Sequence, residues 1–192
     1  MKIPADRNLA NRNLQEADFK GRDLQGVNFQ GSNLRGAIFT RADLTRADFR
    51  RAYLQWSDFS ESDLSRAKLQ KAKIQRANFQ KAILFRAILR EAILQEANFQ
   101  EAVIFKADFF RAILRKANFQ GADLRGANFQ EADLQEADFQ GASLQGAKFQ
   151  EALLQGIILQ GANFPEANLY GARGLSRRTK KQILAQLWKS WQ

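Results

Sequence analysis

A large apolar residue, Leu, Ile or Phe, occupies every fifth position from Leu9 to Leu169, 33 times in succession. Two residues earlier the chain nearly always places Ala, as at Ala42, Ala47, Ala52, Ala67 and Ala72, and the residue between is mostly Asp or Asn. A period of five fits neither an α-helix nor a straight strand, because either would scatter the Leu/Phe set around the whole surface. The chain must turn once per unit. If each unit is a short extended segment ending in a corner, alternation sends Ala and Leu/Phe inward and Asp/Asn outward. The two remaining residues form the corner and face solvent.

The number of sides follows from second-order patterns. Leu and Phe alternate over most of the chain, so an even number of units per coil is needed to stack like on like. Four units fit best. At a spacing of 20 residues the corner positions Arg41, Glu61, Lys81 and Glu101 alternate in sign, which suits ion pairs between neighbouring coils. Phe85 and Phe105 share that spacing, as do Ile93 and Ile113.

Units such as Ala122-Asp123-Leu124-Arg125-Gly126 and Ala127-Asn128-Phe129-Gln130-Glu131 resemble the A(D/N)LXX pattern of the pentapeptide-repeat family, over about residues 7–172. The resemblance implies an all-β solenoid, a right-handed quadrilateral β-helix of about eight 20-residue coils. With strands roughly 4.8 Å apart, such a rod is on the order of 40 Å long. It also implies a non-enzymatic binding protein, since most members of this family, abundant in cyanobacteria, look like one.

Two domains are expected: the β-helix over 1–172 and a C-terminal basic amphipathic helix over 173–192. The register fails at Gly174, and Leu175–Gln192 reads as a helix whose Thr179-x-x-Gln182 resembles a capping box. Ile183, Leu184, Leu187, Trp188 and Trp191 share one face of it. That face suits a cap on the last coil, which would otherwise leave an open edge. The same helix also has the make-up of a membrane-surface or partner-binding segment. At the other end Arg7 and Arg12 replace the usual Ala. Their charge keeps the first edge soluble, or the edge pairs with a second copy, as some members of the family do.

The net charge of +10 is unevenly placed. Residues 173–192 supply +6 of it; residues 35–90 hold 13 basic and 5 acidic groups, and 121–172 hold 2 and 7. The body is basic early and acidic late. Absence of Cys rules out disulfides and thiolate metal sites, and with no His either, the usual general base and reactive thiol are both missing. No Walker-type loop, HExxH or calcium-binding repeat is present. No catalytic residue, cofactor or metal is expected. The N-terminus lacks the apolar run of a signal peptide and no stretch could span a bilayer, so the expected compartment is the cytoplasm.

Function should show where the repeat is broken. Middle positions that should be Asp or Asn are apolar at Ile38, Tyr53, Ile83, Ile88, Ile93, Val103, Ile113, Leu153 and Ile158. Between 83 and 113 these meet Phe85, Phe105 and Phe110 at outward corners. Folded at 20 residues per coil, Ile83, Phe85, Val103 and Phe105 share one side, with Ile88 and Phe110 on the next. Such apolar patches usually mark contacts. Beside them runs a column of like charge, Arg46, Arg66, Arg86 and Lys106. The expected partner-binding set is therefore Ile83, Phe85, Ile88, Val103, Phe105, Phe110, Arg66, Arg86 and Lys106, presented to a protein partner or to a second copy in a homodimer. The alternative structural reading is that these apolar groups only stiffen the rod. Trp56 beside Tyr53 suits stacking and binding equally.

Two other functions draw on the same features. Nucleic acid could bind the cation column and the basic tail, with Phe rings for stacking. The resemblance also brings in mimicry of DNA toward a topoisomerase, but that requires an acidic surface and this body carries +4. Ice binding would need a flat Thr ladder, and the chain has three threonines.

Overall fold

The structure, a computed structural model, describes residues 4–181 and Ile183. Each five-residue unit has an inner small residue, an outward middle residue, an inner large residue and two corner residues. The corner is a β-turn closed by the next inner small residue, whose N–H donates to the carbonyl of the inner large one, as from Ala17 to Leu14 at 3.1 Å. The second corner residue is left-handed in every unit, with φ of 58° at Glu61 and 57° at Lys106. Positive φ at that position alone is the pattern of a type II turn, and it recurs at Arg, Lys and Glu more often than at Gly. One such turn every five residues bends the chain through a four-sided coil.

Each middle residue forms a parallel bridge with the middle residue 20 positions on, from Asn8↔Asn28 to Leu153↔Arg173. These are single bridges rather than continuous strands, since a corner interrupts every side before pairing can extend. The backbone N–H groups of a unit are nevertheless consumed in order. The middle N–H donates to the preceding coil, as from Asn28 to the Arg7 carbonyl at 2.9 Å. Those of the inner large and second corner residues donate to the next coil, as from Leu9 to Asn28 at 2.8 Å and from Asn11 to Gln30 at 2.9 Å. The first corner N–H has no ladder partner, and here the middle Asp or Asn acts: Lys20 N–H donates to Asp18 Oδ1 at 2.9 Å, Gln120 N–H to Asn118 Oδ1 at 2.9 Å. The repeat's Asp/Asn is thus a backbone-bonding residue.

Five glutamines show what happens without it. Gln55, Gln70, Gln75, Gln95 and Gln150 each bury a side-chain oxygen that has no hydrogen-bond partner. Every one of them is a first corner residue following a middle residue with no Asp or Asn oxygen beside the corner: Tyr53, Lys68, Lys73, Ile93 and Lys148.

Inside, the coil is filled by columns. Phe19, Phe39, Phe59, Phe79, Phe99, Phe119 and Phe139 stack along one side with ring centroids 4.8–5.0 Å apart. The opposite side carries Phe29 and Phe49, then Leu69 and Leu89, then Phe109, Phe129 and Phe149, and its rings meet the first column edge-on, as Phe39 meets Phe49 at 85°. Leu and Ile fill most of the other two sides, and the Ala positions are buried throughout the middle of the rod. Where Ser replaces Ala the hydroxyl is spent on a backbone carbonyl, as from Ser57 to Leu54 at 2.7 Å.

At the C-terminal end the coil runs on to the bridge at Arg173, and a helix starts at Arg177. Its cap differs from expectation. Ser176 Oγ accepts the Thr179 N–H at 3.1 Å, so Ser176 is the N-cap and Thr179 lies inside the first turn. Ile183 is buried against the core; Gln182, Leu184, Leu187, Trp188 and Trp191 lie outside the described residues. At the first coil Arg7 donates to the Asp23 carboxylate and, at 2.7 Å, to the Gln25 carbonyl, while Arg12 is exposed. No helix among the described residues is long and apolar enough to cross a membrane.

Two stability predictions follow from these columns. Phe99→Ala, which removes a ring stacked above and below, should cost about 3–5 kcal/mol in a urea titration. Lys148→Asn should instead raise stability by about 1 kcal/mol, because it gives the Gln150 N–H an acceptor and joins Asn128 and Asn168 in an amide ladder. An unchanged or lower midpoint would refute this account of the middle residue.

Candidate binding surface

The four corners can be compared column by column, since residues 20 apart stack directly. Three of them carry ion pairs between coils. On the corner that follows the Asp18 side, Arg41 pairs with Glu61 at 2.8 Å and Lys81 with Glu101 at 3.6 Å. On the corner after the Asn13 side, Arg76 pairs with Glu96 at 2.9 Å and Lys116 with Glu136 at 3.6 Å. On the corner after the Asn8 side, Lys71 pairs with Glu91 at 3.3 Å and Arg111 with Glu131 at 2.7 Å. The guanidinium hydrogen bonds of Arg41 and Arg76 hold the Glu61 and Glu96 carboxyls below the usual glutamate value.

The fourth corner, after the Asp23 side, carries Arg46, Arg66, Arg86 and Lys106 in successive coils. All four are exposed, and none makes an ion pair among the described residues. The column is bounded by Gly26 before Arg46 and by Gly126 after Lys106. The Lys106 side chain lies along the ridge over Gly126, where an added Cβ would come within 3.2 Å of its Cγ.

Aromatic rings take part of the role that carboxylates play elsewhere. Phe85 and Phe105, the first corner residues immediately before Arg86 and Lys106, stack in parallel at 5.9 Å. The Arg86 guanidinium stands 5.3 Å from the Phe85 centroid, and Lys106 and Arg125 stand 5.1 and 5.6 Å from that of Phe105. Both rings are half-buried rather than free. Beside them Ile83 and Val103 bridge each other and remain 40% exposed, a pair of apolar groups open to solvent.

The structure therefore brings together Ile83, Phe85, Val103, Phe105, Arg66, Arg86 and Lys106. Ile88 and Phe110 stand apart. Ile88 is half-buried on the next side, bridging Lys68 and Asp108, and Phe110 lies at that side's far corner, flanked by Arg90 and Arg111 at 5.8 and 4.9 Å. With Ile93 and Ile113 beyond, the apolar exceptions form a band around three sides. The fourth side is polar in these coils, with an amide ladder of Asn98 on Asn78 at 3.1 Å. Arg125 was not among the expected residues; its position 20 after Phe105 was the available signal.

A second exposed feature lies at the corner after the Asn13 side. Trp56 is 59% exposed and borders a shallow cleft of about 430 Å³ lined by Gln55, Gln75, Arg76, Gln95 and Glu96. Tyr53 beside it is sandwiched by Arg35 at 4.8 Å and Lys73 at 4.9 Å. The described residues hold no cluster of groups suited to a metal ion.

Coil pairing at 20 residues, with a turn every five, defines a four-sided solenoid. The pentapeptide-repeat profile matches in eight copies, over 13–51, 47–85, 82–112, 104–141, 112–150 and 142–173, and the chain belongs to this family. Among solved structures it is similar to HetL, a pentapeptide repeat protein involved in heterocyst differentiation regulation from the cyanobacterium Nostoc sp. strain PCC 7120, at 28% identity over 86% of each chain, with a TM-score of 0.48. Full-length QnrB1, a plasmid-mediated fluoroquinolone resistance protein, is similar at 17% identity over 92% of this chain and 98% of that one, with a TM-score of 0.52. Rfr23 from the cyanobacterium Cyanothece 51142 shares 34% identity over 55% and 58%, with a TM-score of 0.23. No curated protein matches the chain by sequence. The likeness to QnrB1 concerns the fold.

The ion-paired corners give a titration prediction. The Glu96 pair with Arg76 is present above the usual glutamate range and is lost only as pH falls through the lowered folded value. A carboxyl-carbon NMR titration should place Glu96 below 4.5, and Arg76→Gln should return it to the ordinary range. A Glu96 midpoint that does not move in the variant would sink the assignment.

Proposed function

We propose that the chain is a non-enzymatic binding scaffold whose contact surface is the corner after the Asp23 side. Its components are Arg46, Arg66, Arg86 and Lys106, the Phe85/Phe105 stack and the exposed Ile83/Val103 pair. One observation carries the reading: each of the other three corners forms two ion pairs between coils, and this one stacks four cations without a carboxylate. Like charges one coil apart repel, and the fold could have relieved this as it does elsewhere. An acidic partner removes the repulsion on binding, while the apolar pair supplies buried area beside it.

The charge pattern also chooses between a heterologous partner and a second copy. A two-fold axis through the patch would set Arg86 of one copy against Lys106 of the other, and Asp63 against Asp123. Self-pairing through this surface is opposed. Nucleic acid draws on the same cations and on the basic tail, but Phe85 and Phe105 offer only half-covered rings for stacking. DNA mimicry finds no support in an unpaired cation ridge.

Light scattering across a concentration series should give the mass of one chain, and Phe85→Gln with Phe105→Gln should not alter it. A concentration-dependent dimer of the parent that the variant abolishes would turn the surface into a self-association site. Poly-glutamate should bind the parent with strong salt dependence, and the triple variant Arg46→Gln, Arg66→Gln, Arg86→Gln should weaken that binding at least tenfold.

A further inference from the structure

The spacing of the cation ridge narrows the chemistry of its partner; this step rests on the reading of that corner as the contact surface. Successive coils are separated by the spacing of the core rings, 4.8–5.0 Å. From Arg46 the other three cations therefore stand at roughly 4.8, 9.6 and 14.4 Å along a straight line. In an α-helix the residues i, i+3, i+7 and i+10 share one face and lie at about 0, 4.5, 10.5 and 15 Å along its axis. Each step of the helix falls within about 1 Å of a cation, well inside the reach of Arg and Lys side chains. An extended strand repeats its same-face residues every 6.6–6.8 Å or so, so over the ridge it offers three carboxylates to four cations, and the second falls between two of them. Phosphates of a duplex wind around its axis, and a straight ridge meets them over a short run only.

We propose that this corner receives an acidic α-helix lying parallel to the rod, with Asp or Glu at i, i+3, i+7 and i+10. The limits of the ridge set the length of the acidic stripe at about three helical turns. Gly26 and Gly126, which bound the column, raise no side chain against a helix that continues past either end. Ile83 and Val103, in the same units as Arg86 and Lys106, ask for an apolar residue on the flank of the same helix. The chain cannot supply this helix from its own described residues, because the one it has, starting at Arg177, carries Arg178, Lys180 and Lys181.

The test uses the full chain and fluorescein-labelled peptides of one composition, helix-stabilised where the design is helical. The first carries four Glu at i, i+3, i+7 and i+10; the second distributes the same four around the helix; the third places them at i, i+2, i+4 and i+6 without helix stabilisation. A single-stranded DNA 12-mer is the fourth probe. Fluorescence anisotropy should show the first peptide bound at least tenfold more tightly than the other peptides and the DNA. Arg66→Gln with Arg86→Gln should remove that preference, whereas Lys116→Gln, at a corner with paired charges, should leave it intact; thermal melts confirm that each variant folds. Equal affinity for all three peptides overturns the helix register but leaves the cation surface standing. No binding by any probe at low salt, or identical binding by the Arg66/Arg86 variant, overturns both. Tighter binding of DNA, lost in that variant, replaces the helix with nucleic acid.

Discussion

Everything in this molecule depends on a left-handed residue at the second position of each corner. That conformation is costly for a side-chain-bearing residue, by about 1 kcal/mol or more, yet Arg, Lys and Glu adopt it throughout the rod. It is sustained because the turn it creates places each N–H and C=O opposite the neighbouring coil. The second corner N–H is one of those that bond across, as from Lys106 to the Arg125 carbonyl at 3.0 Å. Local strain and long-range pairing are two aspects of one arrangement.

The side chains follow from that backbone. A coil this narrow admits one large and one small inner residue per side, and rings that must repeat at the coil spacing stack face to face. The middle residue is pushed outward but remains tied to the corner, because the first corner N–H has no other acceptor. Where it is apolar, the corner N–H loses that side-chain acceptor, and the corner side chain bonds elsewhere or not at all. Arg115, following Ile113, reaches Asp133 of the next coil at 2.5 Å. At Ile83 and Val103 the corner residues are Phe, and no side-chain acceptor replaces the lost one. The band around the middle of the rod is thus where the repeat exchanges its Asp/Asn acceptor for apolar surface.

Charge is arranged by the same geometry. Corner residues 20 apart are neighbours, so a sequence that alternates sign at that spacing writes its own ion pairs. Three columns contain such pairs and the fourth contains none among the described residues. The contrast has weight because all four corners share the same backbone and the same opportunity to pair. Surface pairs of this kind contribute little individually to stability, and their effect is to leave one ridge of the rod electrostatically distinct.

Much of this was legible from residues alone. The five-residue period, the 20-residue coil, the inner Ala and Leu/Phe columns and the Arg41–Glu61 and Lys81–Glu101 pairs are all one-dimensional repeats, and in a solenoid each contact lies at a fixed sequence offset. For the same reason Arg46, Arg66, Arg86 and Lys106 could be aligned before any coordinates. Only the tertiary structure decided how side chains share space within and between coils. It half-buried Phe85 and Phe105 beneath cations, separated Ile88 and Phe110 from them by a corner, moved the helix cap from Thr179 to Ser176, and tied the middle Asp/Asn to the corner N–H. Those outcomes depend on side-chain direction and on competition for individual donors, which a repeat pattern does not encode.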